Sequence, residues 1–201
     1  FSFHPRKAIT TGEGGMITTN NSYLADKIRC FVNHGACKTD LQRHIGAKPY
    51  LLADHVEAGF NYRMTDIQGA LGFAQMKRSK NIIEERIKLA ERYNNAFKNL
   101  EWLQVPKTEN NFIHSYQSYP FLYNAVKVRE QLKKCRYEFI EKTKLSRNNL
   151  MDKLQKQGIS TRPATHAIHM LNFYKEKYQI LPEELPNAFA ANNCSISLPL
   201  F

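Results

Sequence analysis

Tryptophan occurs once, glycine nine times, proline eight and cysteine four times in the 201 residues. So little Gly and Pro excludes collagen-like and Pro-rich linker classes. No apolar run approaches the ~18 residues of a membrane-spanning helix. The four cysteines, Cys30, Cys37, Cys135 and Cys194, have no CxxC or paired Cys/His spacing, which excludes the common zinc frameworks. Free thiols in a reducing cytoplasm are the expectation. Acidic residues are the scarcer charge, 18 against 29 Lys and Arg, for a net +11. That surplus suits anionic partners such as nucleic acid, nucleotides or phosphorylated metabolites without choosing among them. The first residue is Phe1, and no basic stretch leads into an apolar one as in a signal peptide.

What is present is 42% hydrophobic residue, enough for a globular core or more. The text from Lys7 to Asn20, KAITTGEGGMITTN, predicts a hairpin around Gly12, Glu13, Gly14 and Gly15. Leu24, Ile28 and Val32 recur every fourth position and predict a helix from Ser22 to Asn33 with Ser22 as its cap. The stretch from His34 to Gly59 reads as a long loop. Thr65 caps a predicted helix to Ser79, where Gly69, Ala70, Gly72 and Ala74 permit close packing. A second helix, from Asn81 to Leu100, places Ile83, Ile87, Ala90, Tyr93, Phe97 and Leu100 on one stripe.

From Glu101 the grammar changes. Strands are predicted at Trp102 to Val105, Ser115 to Tyr123, Ile159 to Arg162 and Ser195 to Phe201, with helices at Leu145 to Gln157 and Glu183 to Asn193. This is an α+β pattern after a mainly helical one, and it places a domain boundary between residues 1–100 and 101–201.

Chemistry concentrates in the opening residues. Lys7 stands between the entering segment and the Gly-rich stretch, with no acidic residue until Glu13. Desolvation at such a place favours the neutral, nucleophilic amine, although most lysines with this description are surface lysines. Three stretches occur together in order: FSFHPRKAITTGEGGMITT at 1–19, GFNYRMTDIQGALGFAQM at 59–76, and GISTRPATHAIHM at 158–170.

Together these stretches resemble the DegT/DnrJ/EryC1/StrS family, the pyridoxal-phosphate (PLP) sugar aminotransferases, and the resemblance spans nearly the whole chain. It implies an α/β, fold-type-I PLP-dependent transferase architecture like that of aspartate aminotransferase. Residues 1–100 would be the end of the large PLP-binding domain and 101–201 a small α+β C-terminal domain. The implied function moves an amino group from an amino acid, glutamate in the first instance, to a keto group of a nucleotide-activated sugar in polysaccharide biosynthesis. The implied assembly is a cytoplasmic homodimer with shared active sites, with neither nucleic acid nor membrane as a partner.

By the same resemblance, Lys7 matches the lysine that bonds the cofactor through its amine and then shuttles a proton to the substrate carbon. Ser2 matches the serine that binds the cofactor phosphate, and Asn61 the residue that reaches that phosphate from the neighbouring subunit. Arg63 matches the arginine that helps hold the anionic substrate, a task its fork suits. His169 matches the small-domain histidine that approaches the substrate, although Thr165, His166, Ala167 and Ile168 replace the usual flanking residues. Some relatives carry His in place of the lysine and dehydrate their sugar; Lys7 argues for transamination. The family's phosphate-holding helix start, ring-stacking aromatic and ring-nitrogen aspartate precede the SFHxxK motif and are not found in these residues, so the chain reads as an inactive fragment of an active enzyme.

The segment Gly35 to Glu57 carries Lys38, Arg43, His44, Lys48 and His55, which suit either a solvated loop or the diphosphate of a sugar nucleotide. Two other readings stand beside the enzyme. One is a non-catalytic protein of the same fold used for dimerisation or regulation. The other is a nucleic-acid-binding module built on the basic run Lys127 to Arg147 with Tyr137 and Phe139 between its cations, which reads more simply as a solvated face interrupted by Glu130, Glu138 and Glu141.

Overall fold

The computed structural model describes residues 1–36, 44–46, 50 and 52–200. Cys37, Lys38, Arg43 and Lys48 lie outside the described residues. Contacts divide the chain into two compact units, Phe1–Lys80 and Asn81–Phe201. The change of sequence grammar at Glu101 and the change of contact unit at Asn81 therefore fall at different places.

In the first unit, α1 covers Ser22–Val32. Its cap is Asn21, one residue before the expected Ser22, whose side chain accepts from the Leu24 amide at 3.1 Å. Helix α2, Asp66–Lys77, opens on a capping box in which Thr65 Oγ1 accepts from the Gln68 amide and Gln68 Oε1 accepts from the Thr65 amide. That reciprocal pair satisfies two of the donors a helix start leaves over.

The expected hairpin within Lys7 to Asn20 does not form. Instead Ser2 bridges Gly15 in antiparallel sense, and the Phe3 amide donates to the Gly14 carbonyl at 2.9 Å. The entering segment takes the place of the first strand because Thr10 and Thr11 are spent on it. The Thr10 hydroxyl and the Thr11 amide both donate to the Phe3 carbonyl, each at 3.0 Å.

The second unit is built on a three-stranded antiparallel sheet in the order β1 (Leu103–Gln104), β2 (Tyr119–Tyr123), β3 (Ser195–Leu198). Register pairs Tyr119 with Leu198 and Phe121 with Ile196, so alternate apolar side chains share a face. Helix α3, Ser79–Phe97, packs Tyr93 and Phe97 there, with Ala90 and Tyr119 fully buried. Helices α4 (Ala125–Lys133), α5 (Tyr137–Lys156) and α7 (Pro186–Cys194) enclose a second core of Val128, Ile140, Phe189, Ala190 and Cys194. The short α6, Asn172–Tyr178, follows a 3-10 turn at Ile168–Met170.

The predicted strand Ile159 to Arg162 shrinks to one bridge between Arg162 and Ser197. Helix α5 begins at Tyr137, well before the expected Leu145. The basic run Lys127 to Arg147 is thereby divided over two helices. Tyr137 and Phe139 are half-buried and pack against the core of α4, α5 and α7. Arg147 departs from the solvated face altogether: it is 2% exposed and its Nη1 donates to the Ser195 carbonyl at 3.0 Å.

Candidate functional site

Lys7 ends a tightly hydrogen-bonded turn, and Ser2, shortly before it, bridges Gly15. The Lys7 amide donates to the His4 carbonyl at 2.9 Å, and the Arg6 amide to His4 Nδ1 at 3.2 Å. These bonds wind residues 4–7 into a compact bend closed by Thr10 and Thr11 on Phe3. Lys7 and Ser2 are both exposed, so in this chain the lysine is a surface residue on a fixed backbone.

The GEGG segment supports that bend from behind. Thr11, 3% exposed, donates its hydroxyl to the Glu13 carbonyl at 2.6 Å. Gly14 has φ +147°, and a Cβ there would stand 2.7 Å from Thr11 Oγ1 and 3.0 Å from Met64 Cε. Only glycine meets both the backbone angle and the space. Gln68 Nε2 donates to the same Glu13 carbonyl at 3.0 Å, tying the start of α2 to the loop that carries Lys7.

Asn61 and Arg63 form a second constellation with the C-terminal end of α1. The backbone after α1 turns through His34 (φ 60°) and Gly35 (φ 79°). A Cβ on Gly35 would fall onto the Glu57 carbonyl, which requires glycine and brings 55–57 alongside. The Phe60 amide donates to the Phe31 carbonyl at 2.8 Å, the Tyr62 amide to the Val32 carbonyl at 3.0 Å, and Asn33 bridges Asn61. On that frame Arg63 donates from Nε to Asn61 Oδ1 at 3.2 Å and from Nη1 to Asn33 Oδ1 at 3.0 Å, and its Nη2 lies 3.4 Å from His34 Nε2.

The structure therefore joins Asn61 directly to Arg63, and places Lys7 on the turn of residues 4–7 and Ser2 on the bridge to Gly15. His169 lies in the second unit, on the 3-10 turn, 5% exposed, with Nε2 buried and without a hydrogen-bond partner. A buried ring nitrogen left unpaired is costly, and it distinguishes His169 from a histidine already satisfied within its core. Asn33, His34, Thr11 and Gln68 were not anticipated as part of either constellation. Asn33 and His34 stand in a VNHGA text whose glycine marks a helix end, but their partner is Arg63, far along the chain.

In the segment from Gly35 to Glu57, Ala36 bridges His55, and His55 Nδ1 lies 3.0 Å from the His34 carbonyl. His44 is exposed, while the Lys38, Arg43 and Lys48 of the diphosphate reading are outside the described residues. Among the described residues, no group of His, Cys, Asp and Glu is arranged to hold a metal ion, and no helix is long and apolar enough to cross a membrane. Cys135 and Cys194 are free thiols.

The fold is a partial α/β chain of the fold-type-I PLP-dependent transferase class. Helicobacter pylori PseC, an aminotransferase involved in the biosynthesis of pseudoaminic acid, superposes with a TM-score of 0.80 at 27% identity over 99% of this chain and 46% of its own. The chain belongs to the DegT/DnrJ/EryC1/StrS aminotransferase family, which it matches over residues 1–201.

An uncharacterized protein of Methanocaldococcus jannaschii is 32% identical over 201 residues, covering 100% of this chain and 48% of that protein. GDP-perosamine synthase of Escherichia coli O157:H7 is 35% identical over 182 residues, 90% of this chain and 42% of the enzyme. The chain spans about half the length of the curated relatives it matches.

Proposed function

We propose that this chain is part of a PLP-dependent aminotransferase that moves an amino group from an amino acid, glutamate, to a keto group of a nucleotide-activated sugar. The observation that carries the reading is the SFHPRK turn, which presents Lys7 on a backbone held by Phe3, Thr10 and Thr11, in a chain that matches the family from end to end. GDP-perosamine synthase and PseC among the relatives support a sugar as acceptor.

The residues of the turn fit the cofactor. A primary amine and a hydroxyl donor stand exposed within the first seven residues, and no side chain is admitted at Gly14, whose carbonyl accepts from the Phe3 amide between them. When bound, the cofactor supplies an electron sink for the substrate carbanion and stores the amino group between half-reactions. Lys7 Nζ is the group that would hold the cofactor through its amine, and the same amine would serve as general base at the reacting carbon. Ser2 Oγ would help hold the cofactor's phosphate, a task for a short hydroxyl. On the same reading Asn61 serves the phosphate and Arg63 the donor's carboxylate in the partner's site of a homodimer, and the resemblance assigns His169 to substrate binding.

The 201 residues by themselves are inactive on this reading, because the ring-nitrogen aspartate and the aromatic that stacks on the ring are not among them. The free thiol of the buried Cys194 suits a reducing cytoplasm. Borohydride reduction of the full-length protein followed by peptide mapping tests the central assignment: the pyridoxyl mass is expected on Lys7. A label on any other lysine overturns it, and a full-length protein that traps no cofactor establishes the non-catalytic alternative instead.

A further inference from the structure

We propose that Asn33, the residue that ends α1, is a positioning residue that aims the Arg63 guanidinium at the carboxylate of the amino donor. The proposal rests on the reading of Arg63 as the carboxylate-binding arginine and adds to it the part that sets its direction.

Arg63 is a long, exposed side chain, and such a side chain left to itself samples many rotamers. Here it is held at each of its nitrogens by a different residue: Nε by Asn61 Oδ1, Nη1 by Asn33 Oδ1 and Nη2 by His34 Nε2. Contacts at separate corners of a planar group fix its plane as well as its place. Asn33 is the anchor among them because it is itself immobile. It is 8% exposed, its Nδ2 donates to the Ala36 carbonyl at 3.2 Å, and its amide donates to the Cys30 carbonyl at 3.1 Å.

The amide's orientation follows from its neighbours. A carbonyl at one end demands the Nδ2 donor, so Oδ1 faces the guanidinium. A binding arginine held a fraction of an ångström out of place loses the bidentate geometry that distinguishes it from a point charge. Asn33 also bridges Asn61 through the backbone, so one residue sets both the backbone beside Arg63 and the fork.

The test uses the full-length, cofactor-loaded protein with Asn33→Ala, Arg63→Ala and the double variant. Two quantities are read: kinetics against donor and sugar nucleotide, and calorimetric affinity for glutarate, an unreactive dicarboxylate. Asn33→Ala is expected to raise the donor KM and the glutarate Kd about tenfold, the usual effect of losing one hydrogen bond to a charged group. The sugar-nucleotide KM should stay put. On the Arg63→Ala background the same change should add nothing.

Should Asn33→Ala not fold, Asn33→Asp keeps the shape and the acceptor for Arg63, giving up the bond to the Ala36 carbonyl, and serves in its place. Its carboxylate pairs with the guanidinium and competes with the donor, so the donor KM rises, again only while Arg63 is present. An effect of Asn33 that persists without Arg63, or an unchanged donor KM and glutarate Kd, overturns the positioning role alone. An Arg63→Ala protein with normal donor KM and glutarate affinity overturns the reading of Arg63 and the proposal with it.

Discussion

The side-chain amide of Gln68 serves two structures at once: its Oε1 accepts from the Thr65 amide at 3.0 Å and its Nε2 donates to the Glu13 carbonyl at 3.0 Å. One half closes the capping box of α2, and the other holds the segment behind Lys7. The two functions separate by substitution. Gln68→Glu keeps an acceptor for the cap but sets a carboxylate against a carbonyl. It should leave the amides of α2 protected from hydrogen exchange while Phe3, whose amide bonds Gly14, exchanges faster. Gln68→Ala should loosen both and cost about 1 kcal/mol from the cap alone.

Asn61 and Arg63 are assigned to the partner's site, and Lys7 to its own chain. Full-length Lys7→Ala and Arg63→Ala proteins, each inactive or nearly so, should therefore regain activity when mixed, because one of the two sites in a heterodimer is intact. Activity that does not return after verified subunit exchange shows that each site is built within one chain.

Arg147 is a cation inside a core. Burial pushes its guanidinium pKa down from the ordinary value, and the neighbouring Cys194 only partly opposes this. Its Nη1 bonds the Ser195 carbonyl, while Nε is buried without a partner. A buried charge held in this way is often replaceable by an apolar side chain of similar length. Arg147→Met should change the urea midpoint little or raise it, whereas Arg147→Ala, which opens a cavity, should cost about 2–4 kcal/mol. A large loss with Met would mean that the Ser195 bond outweighs the desolvation.

Stability should fall in alkali. Burial pushes the Cys194 thiol from 9.0 up to about 11, and burial together with Tyr116 and Tyr93 raises the Tyr119 phenol above its ordinary value. Both groups are neutral in the folded state while the unfolded chain ionises first. Their contribution is fully present below about pH 9, where neither unfolded group has lost its proton, and is lost as pH rises toward and through the folded values. Denaturation at fixed ionic strength from pH 8 to about 11 should show this decline, and Cys194→Ala should flatten its first part.

The positive surplus has two candidate uses that kinetics separate. If cations between Gly35 and Glu57 meet the sugar-nucleotide diphosphate, Lys38→Ala with Arg43→Ala should raise the sugar-nucleotide KM and leave kcat almost unchanged, since the contact is made alike in ground and transition states. Lys133, Lys134 and Arg136 are exposed, and neutralising them should alter neither at fixed salt. The reverse outcome would move the diphosphate site to α4 and α5.

Much of the helical framework was legible because its signals are local. Thr65 and Gln68 announce α2 within four residues, and the stripe of Ala90, Tyr93 and Phe97 announces α3 and the face it buries. The family motifs around Lys7 and Asn61 are likewise contiguous text. What escaped were pairings between distant residues and elements whose apolar stripe is thin. Helices α4 and α6, rich in charge, carry only a short stripe each.

The Gly-rich stretch looked like a hairpin with itself, yet Ser2 and Phe3 supply its partner, because Thr10 and Thr11 find better acceptors there than across the turn. Arg147 read as one cation among many until α5 placed it beneath β3. The grip of Asn33 and His34 on Arg63 exists only because Gly35 lets the chain fold back on α1. Periodicity and caps act over a few residues and can be read from the chain, whereas the direction of a guanidinium depends on contacts that only the folded chain brings together.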